Sequence, residues 1–213
     1  VAATTGLDAL RDADLVLVCV KSADTDAAAR EIAPLLAPGA LVLSLQNGVD
    51  NADTIACHVG QTVLPAVVYV AVAMPGPGAV MHYGRGDLVI GARTEKPAAD
   101  DASMQAQRTG LAARMQQVVE LFATAEVPVR ISDDVVGELW SKLLVNCAYN
   151  AISALTQLPY GRLAAMPEIR ETQNAVVREV LAVAQAEGHP LDHAASMAAM
   201  ERIAVAMPAQ LSS

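Results

Sequence analysis

Aromatic side chains are scarce in this sequence. One Trp, one Phe and four Tyr make up 3% of its 213 residues. With 54% of residues hydrophobic, a core has to be assembled from Ala, Val, Leu and Met. Basic residues are also in deficit, 14 Lys and Arg against 23 Asp and Glu, for a formal charge of −9. Binding a phosphate backbone takes a basic face, so the charge argues against nucleic acid, and no nucleic-acid partner is expected. Cysteine is limited to Cys19, Cys57 and Cys147, an odd number, far apart and without a CxxC pair. Neither a metal site nor a disulfide framework is suggested, and a reducing cytoplasm fits. Long hydrophobic runs are missing as well. The longest, Val63 to Met74, is too short for a bilayer, is interrupted by Pro65 and is rich in strand formers, so no membrane partner is expected. No signal peptide is visible. The chain opens on Val1 rather than Met and stops at Ser213 just after a helix, so both ends are expected to be cut from a longer protein.

What is present reads as two kinds of structure. Leu15–Val20 (LVLVCV) and Ala40–Leu45 (ALVLSL) are unbroken apolar runs of strand length, as in parallel strands buried on both faces. Helices are expected from about Thr25 to Leu36 and from Asn51 to Val59. The order strand, helix, strand, helix predicts βαβ units in a doubly wound sheet. Val63–Met74, Ala79–Tyr83 and Asp87–Gly91 follow as strands. The spacers between them, Pro75-Gly76-Pro77-Gly78 and Gly84-Arg85-Gly86, predict antiparallel, hairpin-like pairing. Lys96–Ser103 reads as a polar loop, then a helix from about Ala102 to Ala125 and a short strand, Pro128–Ile131. Ser132-Asp133-Asp134 is an N-cap cluster. From there the pattern is all helical: Asp134–Thr156, about Met166–Glu187 and about Leu191–Met207. The domain boundary is placed near Ser132, giving residues 1–132 as an α/β domain and 133–213 as an all-α domain.

The most informative helix is Glu138–Leu155, ELWSKLLVNCAYNAISAL. Lys142, Asn146, Asn150 and Ser153 recur at steps of four, four and three. At about 100° per residue they form one polar stripe on an otherwise apolar helix, which is expected to be buried. A buried lysine with two carboxamides needs partners or a solvated cleft. The stripe reads as the lining of a polar substrate pocket with Lys142 as proton donor, its pKa lowered by burial. The other reading is a lysine that snorkels to solvent and asparagines that satisfy nearby backbone. Two further candidates stand at the carboxyl ends of the first two strands, where open α/β sheets bind ligands. Lys21 follows LVLVCV and can meet an anionic group, or it is a plain loop lysine. Asn47, in Gln46-Asn47-Gly48, can face a ribose or substrate, or the tripeptide is a tight turn. No glycine-rich dinucleotide fingerprint is present. Gly76-Pro77-Gly78 and Gly84-Arg85-Gly86 have only GxG spacing and open no helix.

Four segments carry a resemblance, in order and spacing, over essentially the whole chain. They are VKSADT at 20–25, LSLQNGVDN at 43–51, PGPGAVMHYGRGDLVIG at 75–91 and LWSKLLVNCAYNAISALTQLPYGRL at 139–163. Together they resemble ketopantoate reductase, also called 2-dehydropantoate 2-reductase. The resemblance implies an N-terminal Rossmann-like domain for NADPH, here without its first βαβ unit, and a helical C-terminal domain for substrate and dimerisation, as in 6-phosphogluconate dehydrogenase. It implies reduction of ketopantoate, a small 2-oxo acid, to pantoate on the way to pantothenate and coenzyme A. It gives Lys142 as the catalytic lysine, Asn146 and Asn150 as substrate-site asparagines, and Ser213 as a contact to the substrate carboxylate. Asn47 and Lys21 match residues near the cofactor, and a homodimer is an expected assembly. Three departures stand out: the GxGxxG segment is absent, the carboxylate that orients substrate lies beyond Ser213, and Tyr160 stands where the family often has asparagine. They leave open a reductase of another branched 2-oxo acid, or a truncated, non-catalytic member serving as an interaction module. A polypeptide of these 213 residues alone is expected to fold largely but not to turn over.

Overall fold

The computed structural model describes residues 3–93 and 102–212. The chain divides into two compact units, Val1–Val135 and Val136–Ser213. The division falls at Val135, where the sequence placed it near Ser132.

The first unit is a mixed sheet with helices on both faces. Its elements are β1 (Leu15–Val18), α1 (Thr25–Ile32), β2 (Leu41–Ser44), α2 (Asn51–Ala56), β3 (Thr62–Gly76), β4 (Ala79–Ile90), α3 (Ala102–Thr124) and β5 (Val129–Ile131). The strands lie in the order β1-β2-β3-β4-β5. β1, β2 and β3 run parallel, β4 is antiparallel to β3, and β5 is parallel to β4. β3 is shared between two ladders. Thr62 to Pro65 pair with β2, and Ala66 to Gly76 pair with β4. Pro65 sits at the changeover, where a missing N–H does least damage to the ladder.

β2 explains why a run without alternation can be a strand. Val42 packs with Val16, Val18, Ala29, Ile32 and Ile55 on the α1/α2 side. Leu41 and Leu43 pack with Leu64, Ile90, Met115 and Val118 on the α3 side. Both faces are covered, so all four residues are buried, and a fully buried leucine such as Leu43 contributes about 1.5–3 kcal/mol. β1 departs from the expectation. Its ladder stops at Val18 and its burial alternates, with Leu17 43% exposed. The register puts Leu17 beside Leu43, on the α3 side. Among the described residues, Leu15 on that face still packs against the cluster of Met115 and Val118, and Leu17 does not.

The hairpin also differs in detail. Gly84-Arg85-Gly86 was expected to separate two strands, but β4 runs through it as a bulge. Tyr69 pairs with Asp87 and Val70 with Arg85, which leaves Gly86 unpaired. Gly84 and Gly86 take φ of 138° and 144°, and Arg85 between them takes 57°. Arg85 is held there by two bonds to the Asp87 carboxylate, at 3.0 and 2.7 Å, and by its position 4.2 Å over the Tyr69 ring. The expected loop Lys96–Ser103 lies mostly outside the described residues.

The second unit is helical: α4 (Val135–Thr156, its first residue assigned to the first unit), α5 (Tyr160–Ala164), α6 (Pro167–Ala186) and α7 (His193–Ala206). Leu144, Ala148, Tyr149, Tyr160, Leu163, Val177, Met200 and Ala204 form its core. α5 is an element the sequence reading missed. Pro159-Tyr160-Gly161 read as a break, but proline immediately before a helix is compatible with its start. α4 is also less enclosed than its composition suggested, because only one side faces this core. Leu155 is 86% exposed, and Cys147 and Asn150 lie at the surface. Among the described residues, no helix is long and apolar enough to cross a membrane.

Candidate active site

Two polar constellations stand out, one in each unit. The first lies at the carboxyl ends of β1 and β2. Gln46 is buried just beyond β2. Its Nε2 donates to the Val20 carbonyl at 2.9 Å and to Thr25 Oγ1 at 2.7 Å, while Ser44 Oγ donates to its Oε1 at 3.2 Å. Thr25 Oγ1 in turn donates to Asn51 Oδ1 at 3.0 Å. The chain of bonds ties the two strand ends to the first residues of α1 and α2. Each buried polar atom in it finds a partner, as burial requires.

The network holds the Asn47 backbone. The Asn47 carbonyl accepts from Asn51 Nδ2 at 2.8 Å and from Ser22 Oγ at 3.1 Å. Gly48 next to it takes φ 113°, and a Cβ there would stand 2.9 Å from Asn51 Nδ2, so the turn admits only glycine. Lys21 and Asn47 are both exposed, on neighbouring loops at one end of the sheet. A cation and a carboxamide there suit the anionic and hydroxyl groups of a nucleotide. The supporting residues Ser22, Thr25, Gln46 and Asn51 were not read as a group from the sequence. The signal available was a glutamine directly after a fully apolar strand.

The second constellation is on α4. Lys142 and Asn146 are half-buried, Asn150 is exposed and Ser153 is fully buried. Burial along the stripe is therefore uneven, least at Asn150 and complete at Ser153, and not uniform as expected. Its far end is closed by residues beyond α4. Tyr160 Oη donates to Asn150 Oδ1 at 2.7 Å and lies 2.8 Å from Ser212 Oγ. Ser212 Oγ reaches Asn150 Oδ1 at 3.3 Å, and Ser212 N–H donates to Ser153 Oγ at 3.0 Å. Ser153 Oγ itself donates to the Leu158 carbonyl at 2.9 Å. The Tyr160 ring packs at 4.7 Å on Tyr149. Burial pushes the Tyr149 phenol up, so it stays protonated and donates to the Met200 carbonyl at 3.1 Å. Ser213 lies outside the described residues. Its neighbour Ser212 was not singled out in the sequence, although the Ser212-Ser213 pair was the available signal. Among the described residues, no group of three or more His, Cys, Asp or Glu could hold a metal ion.

Both constellations fall inside stretches matched by models of one family. Residues 1–95 match the model described as ketopantoate reductase PanE/ApbA, and residues 134–213 match its C-terminal counterpart. This chain belongs to the PanE/ApbA ketopantoate reductase family. Among family relatives, the 2-dehydropantoate 2-reductase of Halobacterium salinarum is 37% identical over 178 residues, 83% of this chain and 54% of that protein. That of Vibrio cholerae is 31% identical over 182 residues, 85% of this chain and 56% of that protein. The crystal structure of a PanE/ApbA family ketopantoate reductase from Ralstonia eutropha JMP134 is 48% identical, with a TM-score of 0.82. It matches 100% of this chain, which covers 65% of it. The chain thus spans little more than half the length of these curated relatives.

Proposed function

We propose that the protein to which these residues belong reduces 2-dehydropantoate (ketopantoate) to pantoate with NADPH, a step towards pantothenate and coenzyme A. The observation that carries this reading is the α4 stripe inside the family match: Lys142 half-buried, with Asn146 and Asn150 following it at four-residue steps. A 2-oxo acid gains negative charge on its ketone oxygen as it is reduced. Lys142 hydrogen-bonds that oxygen and gives it a proton. Asn146 and Asn150 stay neutral and orient the substrate, and Ser213 receives its carboxylate. When bound, NADPH supplies the hydride. Lys21 and Asn47 fit its charged and hydroxylated parts at the carboxyl ends of β1 and β2. The pyrophosphate cradle is not among these residues, and we assign it to the part of the relatives' length that this chain does not span. On this reading the first unit is Rossmann-like and takes one more βαβ unit, about 30 residues, along β1. The pair of units is of the 6-phosphogluconate dehydrogenase kind, a homodimer forms through the helical unit, and the protein is cytoplasmic.

The test is direct. The complete protein, assayed with ketopantoate, consumes NADPH and forms pantoate; no turnover at any ketopantoate concentration overturns the reading. A second expectation concerns the cofactor. NADPH binds more tightly than NADH, and Lys21→Ala weakens NADPH binding by about 3- to 10-fold, the worth of one exposed charge-assisted contact. Equal affinity for the two cofactors, indifferent to Lys21, removes Lys21 from the site. A second substrate reading, another branched 2-oxo acid, is favoured by one observation. The Tyr160 hydroxyl is engaged by Asn150 and Ser212, so it offers less to a distal substrate hydroxyl than a carboxamide would. Comparing kcat/KM for ketopantoate and for the same acid without its hydroxyl separates the two.

A further inference from the structure

The segment Pro208–Ser212 follows α7 and forms no helix or strand, yet it is tied down along its length. α5 opens after Pro159 with no side-chain cap, so its first N–H groups need acceptors. The segment supplies them. Tyr160 N–H donates to the Gln210 carbonyl and Gly161 N–H to the Pro208 carbonyl, both at 3.0 Å. A Cβ on Gly161 would stand 3.0 Å from Pro208 Cβ and 3.1 Å from its carbonyl oxygen, so the contact depends on glycine. Beyond these backbone bonds, the side chains of Tyr160, Asn150 and Ser212 close on one another, and Ser212 N–H is held by the fully buried Ser153.

This closure has two effects on the polar stripe. Asn150 Oδ1 faces both hydroxyls, which fixes the carboxamide and leaves its nitrogen as the donor to offer a ligand. Ser212 is held through both its N–H, by Ser153 Oγ, and its hydroxyl, by Asn150 and Tyr160. Tyr160 is only 7% exposed, so water does not readily replace its hydroxyl. Its ring, packed on Tyr149, holds the hydroxyl at one place.

We propose that Tyr160 is a positioning residue for the substrate. Through Asn150 and Ser212 its hydroxyl sets the donors that receive the carboxylate end of a 2-oxo acid, and it acts on substrate binding while leaving the chemical step alone. The proposal rests on the reductase reading, and its test separates the two.

The complete protein is prepared as wild type, Tyr160→Phe, Ser212→Ala, the double variant and Ser212→Thr. Each is assayed with ketopantoate and NADPH, and backbone hydrogen exchange is followed over residues 208–212. Phenylalanine keeps the ring packing and removes one hydroxyl. In Tyr160→Phe and Ser212→Ala, KM for ketopantoate rises about tenfold, as for one lost hydrogen bond, with kcat and KM for NADPH unchanged. The double variant is no worse than either single one, because both remove the same closure. Ser212→Thr, which keeps the hydroxyl, stays near wild type. Exchange at 208–212 quickens about tenfold in Tyr160→Phe. An unchanged KM in Tyr160→Phe, a fall in kcat at constant KM, or additive effects in the double variant overturns the proposal. A wild type that does not reduce ketopantoate overturns the reductase reading instead. In that case the exchange rates alone decide the closure, and wild-type exchange in Tyr160→Phe refutes it.

Discussion

Replacing Lys142 with alanine in the complete protein is expected to lower kcat by about 10²–10⁴, the range contributed by a positioned general acid, while NADPH still binds. Asn146 stands one turn further along α4, and a carboxamide at that place can orient a substrate but cannot deliver a proton at neutral pH. No neighbour on the stripe therefore replaces the lysine. Lys142→Arg is a sharper probe. It keeps the positive charge but holds its proton too tightly to act as an acid, so it should also be slow, although its KM for substrate stays closer to wild type. Near wild-type kcat in the alanine variant across the pH range would remove Lys142 from the chemistry.

Gly48→Val is expected to destabilise the first unit by about 2–4 kcal/mol, from a φ that β-branched residues do not adopt and from overpacking against Asn51. The added Cβ starts 2.9 Å from Asn51 Nδ2. That nitrogen donates to the Asn47 carbonyl, and Asn51 Oδ1 accepts from Thr25, which is bonded to Gln46. Displacing Asn51 therefore loosens the whole buried network, and NADPH affinity should fall along with stability. Gly60→Val is the control. Nothing lies within 4 Å of a Cβ there and its φ is ordinary, so its effect should stay within about 0.5 kcal/mol. Urea unfolding of both variants decides the matter. A Gly48→Val variant as stable as Gly60→Val would mean that the turn does not depend on glycine.

How much was legible in the sequence varied with how local the cause was. β2 could be read because covering both faces leaves an unbroken apolar run, and the β3–β4 hairpin because Pro77-Gly78 is a strong local turn signal. β1 carries the same kind of run but is the outermost of the described strands. Whether α3 reaches Leu17 is a tertiary fact that composition does not record. The bulge at Gly84-Arg85-Gly86 looked like a loop because its glycines supply unusual φ angles, while the bonds from Arg85 to Asp87 that keep it in register are not visible as a pattern. In the candidate site, the spacing of Lys142, Asn146 and Asn150 is helical and was read directly. The partners of Asn150 come from Tyr160 and Ser212, the latter 62 residues away, and nothing in the spacing announces them. Gln46 was seen as part of a turn, and its bonds to Val20 and Thr25 emerge only once two strands lie side by side.

The strand order carries a consequence for how the first unit is made. Among the described strands, each of β1 to β4 lies beside the next one in sequence, so these pairings do not wait for a distant part of the chain. Closing the short connections between them costs little chain entropy, because that cost grows only slowly with loop length and starts small. Local pairing of this kind favours rapid folding. β5 is the exception, since it joins Leu88–Ile90 only after the whole of α3 has been crossed. Within this part of the sheet, β1 to β4 can therefore pair in sequence order, with β5 added last and α3 laid across the face that β2 and β3 have already formed.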